Sequence, residues 1–332
     1  MTRRPRCLVI HPGALGDVLL ALPALAHLGT LEEGLMRVLA TAPRFAGLLE
    51  GSGYVEETVD FDRLGLHRLF VAEPDHALLE DLAGYDAIVS WFGAADPTYR
   101  GHLLSLETRL HRPLVIGRAT PSPSTPRHAS RHLLETLAPW GPVPAHLPPV
   151  RLRVEPTDRA WAAAWLAARG LARDRVVVLH PGAGHPAKAW PGYGVLARRL
   201  QTAGVPAVLV TGPADTAVAA RLVGGGGVPE VRVARDWPLT RLAALCEVAR
   251  GFVGNDSGLS HLAAAVGCPT LVLFGPTDPR RWAPGGPPGE CPHVVALAGA
   301  GVEAADPWAG VDVERVGDTL LELIAAAPAA MR

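Results

Sequence analysis

Lysine is almost absent from this chain. Of the 31 lysines and arginines in its 332 residues, only Lys188 is a lysine. Charged residues are 19% of the total and the formal net charge is −1. That balance excludes a global attraction to nucleic acid, and no nucleic-acid partner is expected. The four cysteines, Cys7, Cys246, Cys268 and Cys291, show no CxxC spacing. A disulfide framework and a zinc site are therefore not expected, and a reducing, cytoplasmic setting is. No uncharged apolar run reaches the length of a membrane-spanning helix. The start, MTRRPRCLVIHPGALGDVLLALPALA, imitates a signal peptide, but Pro12, Gly13, Gly16 and Asp17 interrupt its apolar part. It reads instead as a strand, a glycine turn and a helix. GxxxxGK[ST] is missing, which excludes a P-loop NTPase. The first glycine turn is not GxGxxG and no acid closes a convincing second strand, which argues against a nicotinamide dehydrogenase. Asp and Glu are not clustered for Mg²⁺, so neither metal nor cofactor is expected.

What is abundant is apolar: 48% of residues are hydrophobic, enough for two domains with sizeable cores. Short apolar runs alternate with helical patterns: CLVIH, MRVLATA, ETVDF, DAIVSWF and PLVIG in the first half, RVVVLH, PAVLVTG, GFVGN and PTLVLFG in the second. Such alternation implies βαβ units and parallel sheets. PWGPVPAHLPPVRLRVEP, residues 139–156, holds six prolines and reads as a linker. The predicted domains are residues 1–145 and 146–310, followed by an amphipathic helix within 311–332. The string HPGA closes the first strong strand of each half, at His11–Ala14 and again at His180–Ala183. This echo suggests two related Rossmann-like domains, each with its ligand edge beyond the carboxyl ends of the strands.

Three stretches can carry chemistry. In HPGALGDVLLALP, Gly13 and Gly16 allow a tight turn, and Asp17 opens the next helix. A helix cap is the ordinary role of such an acid; a general base is the functional one. In FVGNDSGLSHLAAAVGCPTLVLFGPTDP, a strand ends before Asn255, Asp256 and Ser257. Gly258 then exposes amides at a helix start, a ready anion site. His261 follows one turn on, and Thr277 lies in the next turn at the same sheet edge. An acid beside a phosphate is repulsive, so Asp256 suits sugar hydroxyls better than the phosphate itself. In HPGAGHPAKAWPG, Gly182, Ala183 and Gly184 let backbone amides approach a phosphate, and Lys188 supplies a compact ammonium. A lone loop lysine is ordinarily a solvated surface group. Trp190 reads as packed beneath the loop and Pro191 as the first residue of the next helix.

Taken in order, these motifs resemble glycosyltransferase family 9, the ADP-heptose:lipopolysaccharide heptosyltransferases. The likeness covers residues of about 7–282. It implies an α/β GT-B fold, two Rossmann-like domains with parallel sheets facing across a cleft, and a terminal helix packing back toward the first domain. It implies an inverting, metal-independent transfer from a nucleotide-diphospho-sugar to a glycan or glycolipid acceptor, in a cytoplasmic protein with peripheral contact at the inner membrane. By the same resemblance Asp17 matches the catalytic base, Lys188 a donor phosphate and sugar contact, and Asp256 a holder of donor-sugar hydroxyls. Gly258 and His261 match diphosphate contacts, with Gly16, Gly182, Ala183, Gly184, Ser257 and Thr277 beside them on the donor side. The basic cluster Arg118, Arg127, His128, Arg131 and His132 is the candidate acceptor contact. The family's DTG is DSG here, and Asp215 is the nearest residue to its nucleoside-contacting acid. A non-catalytic nucleotide-sugar scaffold and a GT-B-type epimerase are the alternatives.

Overall fold

The computed structural model describes residues 3–212 and 232–326. Asp215 and the helix expected over 214–224 lie outside the described residues. The chain forms two compact units, one up to Leu152 and one from Arg153. The division falls inside the proline-rich stretch, a few residues past the expected position 145.

The first unit is a parallel sheet of five strands: β1 (Arg6–Ile10), β2 (Met36–Thr41), β3 (Glu57–Asp60), β4 (Ala87–Ser90) and β5 (Val115–Ile116). Their spatial order is β3-β2-β1-β4-β5. β1 and β2 are nearly continuous apolar runs because both faces of a central parallel strand are covered. The covering helices are α1 (Leu15–Leu20), α2 (Leu22–Leu31), α3 (Ala46–Leu49), α4 (His76–Leu82), α5 (Pro97–Leu104) and α6 (Ala129–Glu135).

Arg37 places a charge inside this unit. The Arg37 guanidinium on β2 donates to Glu56 Oε1 at 2.6 Å, to Leu25 O at 3.2 Å and to Gly53 O at 2.9 Å. Gly29 makes room for it, since a Cβ there would meet Arg37 Nη1 at 2.5 Å. Burial alone would raise the Glu56 carboxyl, but the hydrogen bonds and charge of Arg37 outweigh that and hold it below its ordinary value. The pair therefore stabilises above the unfolded pKa of Glu56, and the contribution is lost as pH falls through the lower folded value. Arg37→Ala should lower the unfolding free energy by about 2–4 kcal/mol at neutral pH, because a half-buried carboxylate and two carbonyls lose their partner. Urea denaturation reads this directly.

The second unit begins with α7 (Pro156–Ala167) and holds β6 (Val177–His180), α8 (Tyr193–Thr202), β7 (Ala207–Thr211), β8 (Arg232–Arg235) and α9 (Leu239–Val248). β9 (Gly251–Asn255), α10 (Gly258–Ala265), β10 (Thr270–Phe274), α11 (Pro279–Trp282), β11 (Val294–Ala298) and α12 (Val313–Ala326) follow. Its six strands are parallel in the order β11-β10-β9-β6-β7-β8. Both sheets are doubly wound: the chain reverses direction across the sheet between β1 and β4, and between β6 and β9. Open α/β sheets bind ligands in the crevice beyond the strand ends at that switch point. In this chain β1 and β6 end at the two HPGA turns, and β9 ends at the NDSG turn.

The edge strands β8 and β11 are elements that the sequence pattern did not reveal. β8 reads RVAR, with only Ala234 buried, so its apolar signal is faint. β11 emerges from the glycine- and proline-rich stretch 283–310. The terminal helix α12 buries Val316, Leu320 and Ile324 in the core of its own unit, with Trp190 and Tyr193. Gly251 permits this, because a Cβ there would lie 2.5 Å from Ile324 Cγ2.

Candidate active site

In the first unit the turn after β1 is closed by its own side chains. Asp17 is not the cap of α1. The cap position is Ala14, and Asp17 occupies the third helical position, where its Oδ2 accepts from the Ala14 amide at 3.1 Å. That contact satisfies one orphan amide of the helix start and orients the carboxylate. Gly13 lies between two side chains: a Cβ added there would approach Asp17 Cβ and His11 Cε1 at 2.7 Å each. Gly13 is therefore glycine for space. None of Gly13, Gly16, Gly182, Gly184 and Gly258 has a left-handed backbone.

The second unit joins all three elements that end at its switch point. Lys188 Nζ donates to Asp256 Oδ2 at 2.7 Å, and Thr277 Oγ1 donates to the same oxygen at 2.8 Å. The Asp256 side chain is 9% exposed and that of Lys188 31%. This answers the repulsion that an acid would cause beside a phosphate: the ammonium neutralises Asp256 and still reaches solvent. Asp256 is thus spent on Lys188 and Thr277, while Ser257 takes the cap position of α10 without a side-chain cap bond. In the first turn of α10, Gly258 and Leu259 are half-buried residues.

Asn255 is the residue that sequence reasoning undervalued. Its Nδ2 donates to Pro181 O at 2.9 Å and to Gly182 O at 3.1 Å, and its Oδ1 accepts from the Trp190 amide at 3.0 Å. One buried side chain thereby holds both ends of the HPGAGHPAKAW loop against β9. Trp190 packs beneath that loop as expected, 4% exposed, with its indole N–H on Val311 O at 2.8 Å. The helix α8 starts at Tyr193 with Gly192 as cap, so Pro191 precedes it instead of opening it. A Cβ at Gly184 would meet open space, which leaves that turn accessible to a ligand.

His261 is 6% exposed, and burial pushes its imidazole down to about 4. Asp256 raises it and Lys188 lowers it by smaller amounts. At neutral pH it is an uncharged ring, able to donate one hydrogen bond but not to supply a cation.

The basic cluster of the first unit is largely engaged in local structure. Arg127 pairs with Glu135, Arg131 donates to Pro144 O at 2.7 Å and Ala145 O at 2.6 Å, and His132 bonds Arg118 O at 2.9 Å. His128 caps α6 by accepting from the Ser130 amide at 3.2 Å. These side chains tie the start of α6 to the loops around it. Among the described residues, no group of three or more His, Cys, Asp or Glu is placed to hold a metal ion. No helix among the described residues is long and apolar enough to cross a membrane.

A family model, Glycosyltransferase family 9 (heptosyltransferase), matches residues 128–293, half of the chain. That span contains the Lys188 and NDSG motifs and begins well after the Asp17 turn. Lipopolysaccharide heptosyltransferase 3 of Escherichia coli is 34% identical over 113 residues, 32% of this chain and 33% of that relative. The match thus spans about a third of the relative's length. The crystal structure of a glycosyl transferase family 9 protein from Veillonella parvula superimposes with a TM-score of 0.75 at 18% identity, covering 97% of this chain and 98% of that one. The E. coli heptosyltransferase WaaC, solved with ADP, gives 0.63 at 22% identity, covering 96% and 99%. These likenesses show the fold, which is GT-B.

Proposed function

Since the chain belongs to glycosyltransferase family 9, we propose that it is an inverting glycosyltransferase. It moves a heptose-like sugar from a nucleotide-diphospho-sugar to a glycan acceptor of the lipopolysaccharide kind. The observation that carries this reading is the Lys188–Asp256–Thr277 cluster beside the open start of α10, at the switch point of a doubly wound sheet. The half-buried helix start at Gly258 suits a diphosphate. The ammonium of Lys188 compensates charge as the diphosphate leaves, and neutral His261 can donate one hydrogen bond to it. Asp256 has its Oδ2 on Lys188 and Thr277 and offers its Oδ1 to sugar hydroxyls. Asp17 takes the proton from the acceptor hydroxyl as its oxygen attacks the anomeric carbon, and the departing nucleoside diphosphate carries away the bonding pair.

ADP is the proposed donor nucleotide, by likeness to the protein solved with it. No metal step is needed in this scheme, because the helix start and Lys188 carry the charge. We place the protein at the cytoplasmic face of the membrane that holds its acceptor. The test is a thermal-shift panel of ADP-, GDP-, UDP- and dTDP-sugars, followed by transfer from the best donor to a heptose-deficient lipopolysaccharide core, with and without EDTA. Selective stabilisation by an ADP-sugar and EDTA-resistant transfer with inverted anomeric configuration are expected. Binding without transfer would favour the scaffold reading. Isomerised donor in the absence of acceptor would favour an epimerase.

A further inference from the structure

We propose that His11 is a positioning residue for Asp17: its neutral imidazole accepts the Gly13 amide and so fixes the turn that presents the carboxylate. This rests on the reading of Asp17 as the base. His11 ends β1 and is 1% exposed. The Gly13 amide donates to His11 Nδ1 at 3.2 Å. An amide can only donate, so Nδ1 carries the lone pair and the ring proton is on Nε2. Nε2 is buried with no hydrogen-bond partner. Keeping an unpaired N–H inside the protein is unfavourable, and an apolar residue at the strand end would avoid it. Something must therefore be gained at the other nitrogen, and what lies there is the Gly13 amide.

The surroundings fix the ring. His11 meets Trp91 edge to face, with centroids 5.6 Å apart, and the Trp91 indole donates to Thr136 Oγ1 at 2.9 Å. Gly13 then bridges the ring to Asp17, lying so close to both that a methyl group has no room on it. One residue further, Ala14 gives its amide to Asp17 itself. A continuous chain thus runs from α6 through Trp91, His11 and the turn to the carboxylate. Burial pushes the His11 imidazole down to about 4, so the acceptor lone pair persists across the neutral range.

The second HPGA shows that a strand-end histidine in this fold does not require this arrangement. His180 is also buried, but its Nδ1 faces Val210 O at 3.2 Å, and a carbonyl can only accept. His180 therefore carries its proton on Nδ1, the opposite tautomer. The turn after it is held by Asn255. The two copies share four letters and divide the work differently: beside Asp17 the Nδ1 of the histidine accepts, and in the second copy it donates.

The test compares His11→Asn, whose Oδ1 falls near the position of Nδ1, with His11→Leu, which fills space but accepts nothing. His11→Leu should lose about 30-fold in kcat with donor KM within about twofold of wild type, while His11→Asn stays within about fivefold in kcat. Equal losses in both variants, a kcat for His11→Leu within twofold of wild type, or a loss that appears mainly in donor KM would overturn the proposal. The ¹⁵N shifts of the histidine side chains in the unmutated protein give a readout that survives poor folding of either variant. They should show one ring as the Nε2–H tautomer from pH 8 to 5, assigned to His11 by its loss in His11→Asn or by contact with Trp91. An Nδ1–H form or an imidazolium at pH 7 would refute it. If Asp17→Asn keeps full turnover, the base reading has failed separately; if it loses turnover while His11→Leu does not, only the positioning role has.

Discussion

Asp17→Asn should bind donor with unchanged affinity and lose about 1000-fold in turnover, within the range that general bases contribute. The substitution is isosteric. Asn retains an oxygen that can accept from the Ala14 amide, so the start of α1 keeps the contact it has now. What disappears is the negative charge and with it the basicity. The donor cluster is in the second unit, built from Lys188, Asp256 and Thr277, and none of its hydrogen bonds involves the turn after β1. Calorimetry with the donor and initial rates with saturating acceptor separate the two effects. Asp17→Ala is the poorer experiment, because it also removes a helix-start contact worth about 1 kcal/mol and mixes stability with chemistry. Turnover by Asp17→Asn within tenfold of wild type would move the base elsewhere.

The second large effect is expected at Lys188. Lys188→Ala leaves Asp256 as a nearly buried carboxylate with Thr277 as its remaining side-chain donor, facing an incoming diphosphate. Removing one member of a desolvated charge pair typically costs about 2–5 kcal/mol in binding. A donor Kd raised by about 100-fold is therefore expected. Asp256→Asn in the same chain should recover part of that loss, since the uncompensated charge is gone, and this non-additivity identifies the pair. Lys188→Arg should fall between, raising the donor Kd about tenfold. The guanidinium is planar and wide where the site holds one ammonium against a single oxygen shared with Thr277. Calorimetric titration of five proteins (wild type, Lys188→Ala, Asp256→Asn, their double variant and Lys188→Arg) checks all three statements. An unchanged Kd in Lys188→Arg would return this residue to an ordinary surface role, despite its being the one lysine in a chain that otherwise uses arginine.

The sequence marked the places where strands end far better than it marked what joins them. HPGA, HPGA and NDSG were visible because glycine and capping residues punctuate apolar runs, and the sheets place each at a switch point. The Lys188–Asp256 pair spans 68 positions, and only the register of β6 against β9 brings those turns together. A linear pattern cannot show that, so the two residues read as separate candidates with opposite charges. Asn255 was legible only as a capping type, although it does more to shape the donor loop than any cap. The basic cluster on α6 had the reverse fault. Charge made it conspicuous, and geometry shows Arg127, Arg131 and His132 occupied with Glu135 and neighbouring carbonyls. The strands β8 and β11 escaped because edge strands are covered less completely, so one is rich in arginine and the other, though five residues long, is only partly buried.

The order in which these sheets are wound also governs how the protein is made. β1 is synthesised before the other strands of its sheet, yet one of its two edges waits for β4, 80 positions later at the Cys7–Ala87 pairing. β6 waits 74 positions for β9 in the same way. During that interval an apolar central strand of each unit has its backbone exposed on one side, a template for wrong partners. Such distant pairings close slowly. The central strand of each sheet, where the chemistry is aimed, is thus synthesised before the other strands of that sheet and enclosed only after its distant partner has followed.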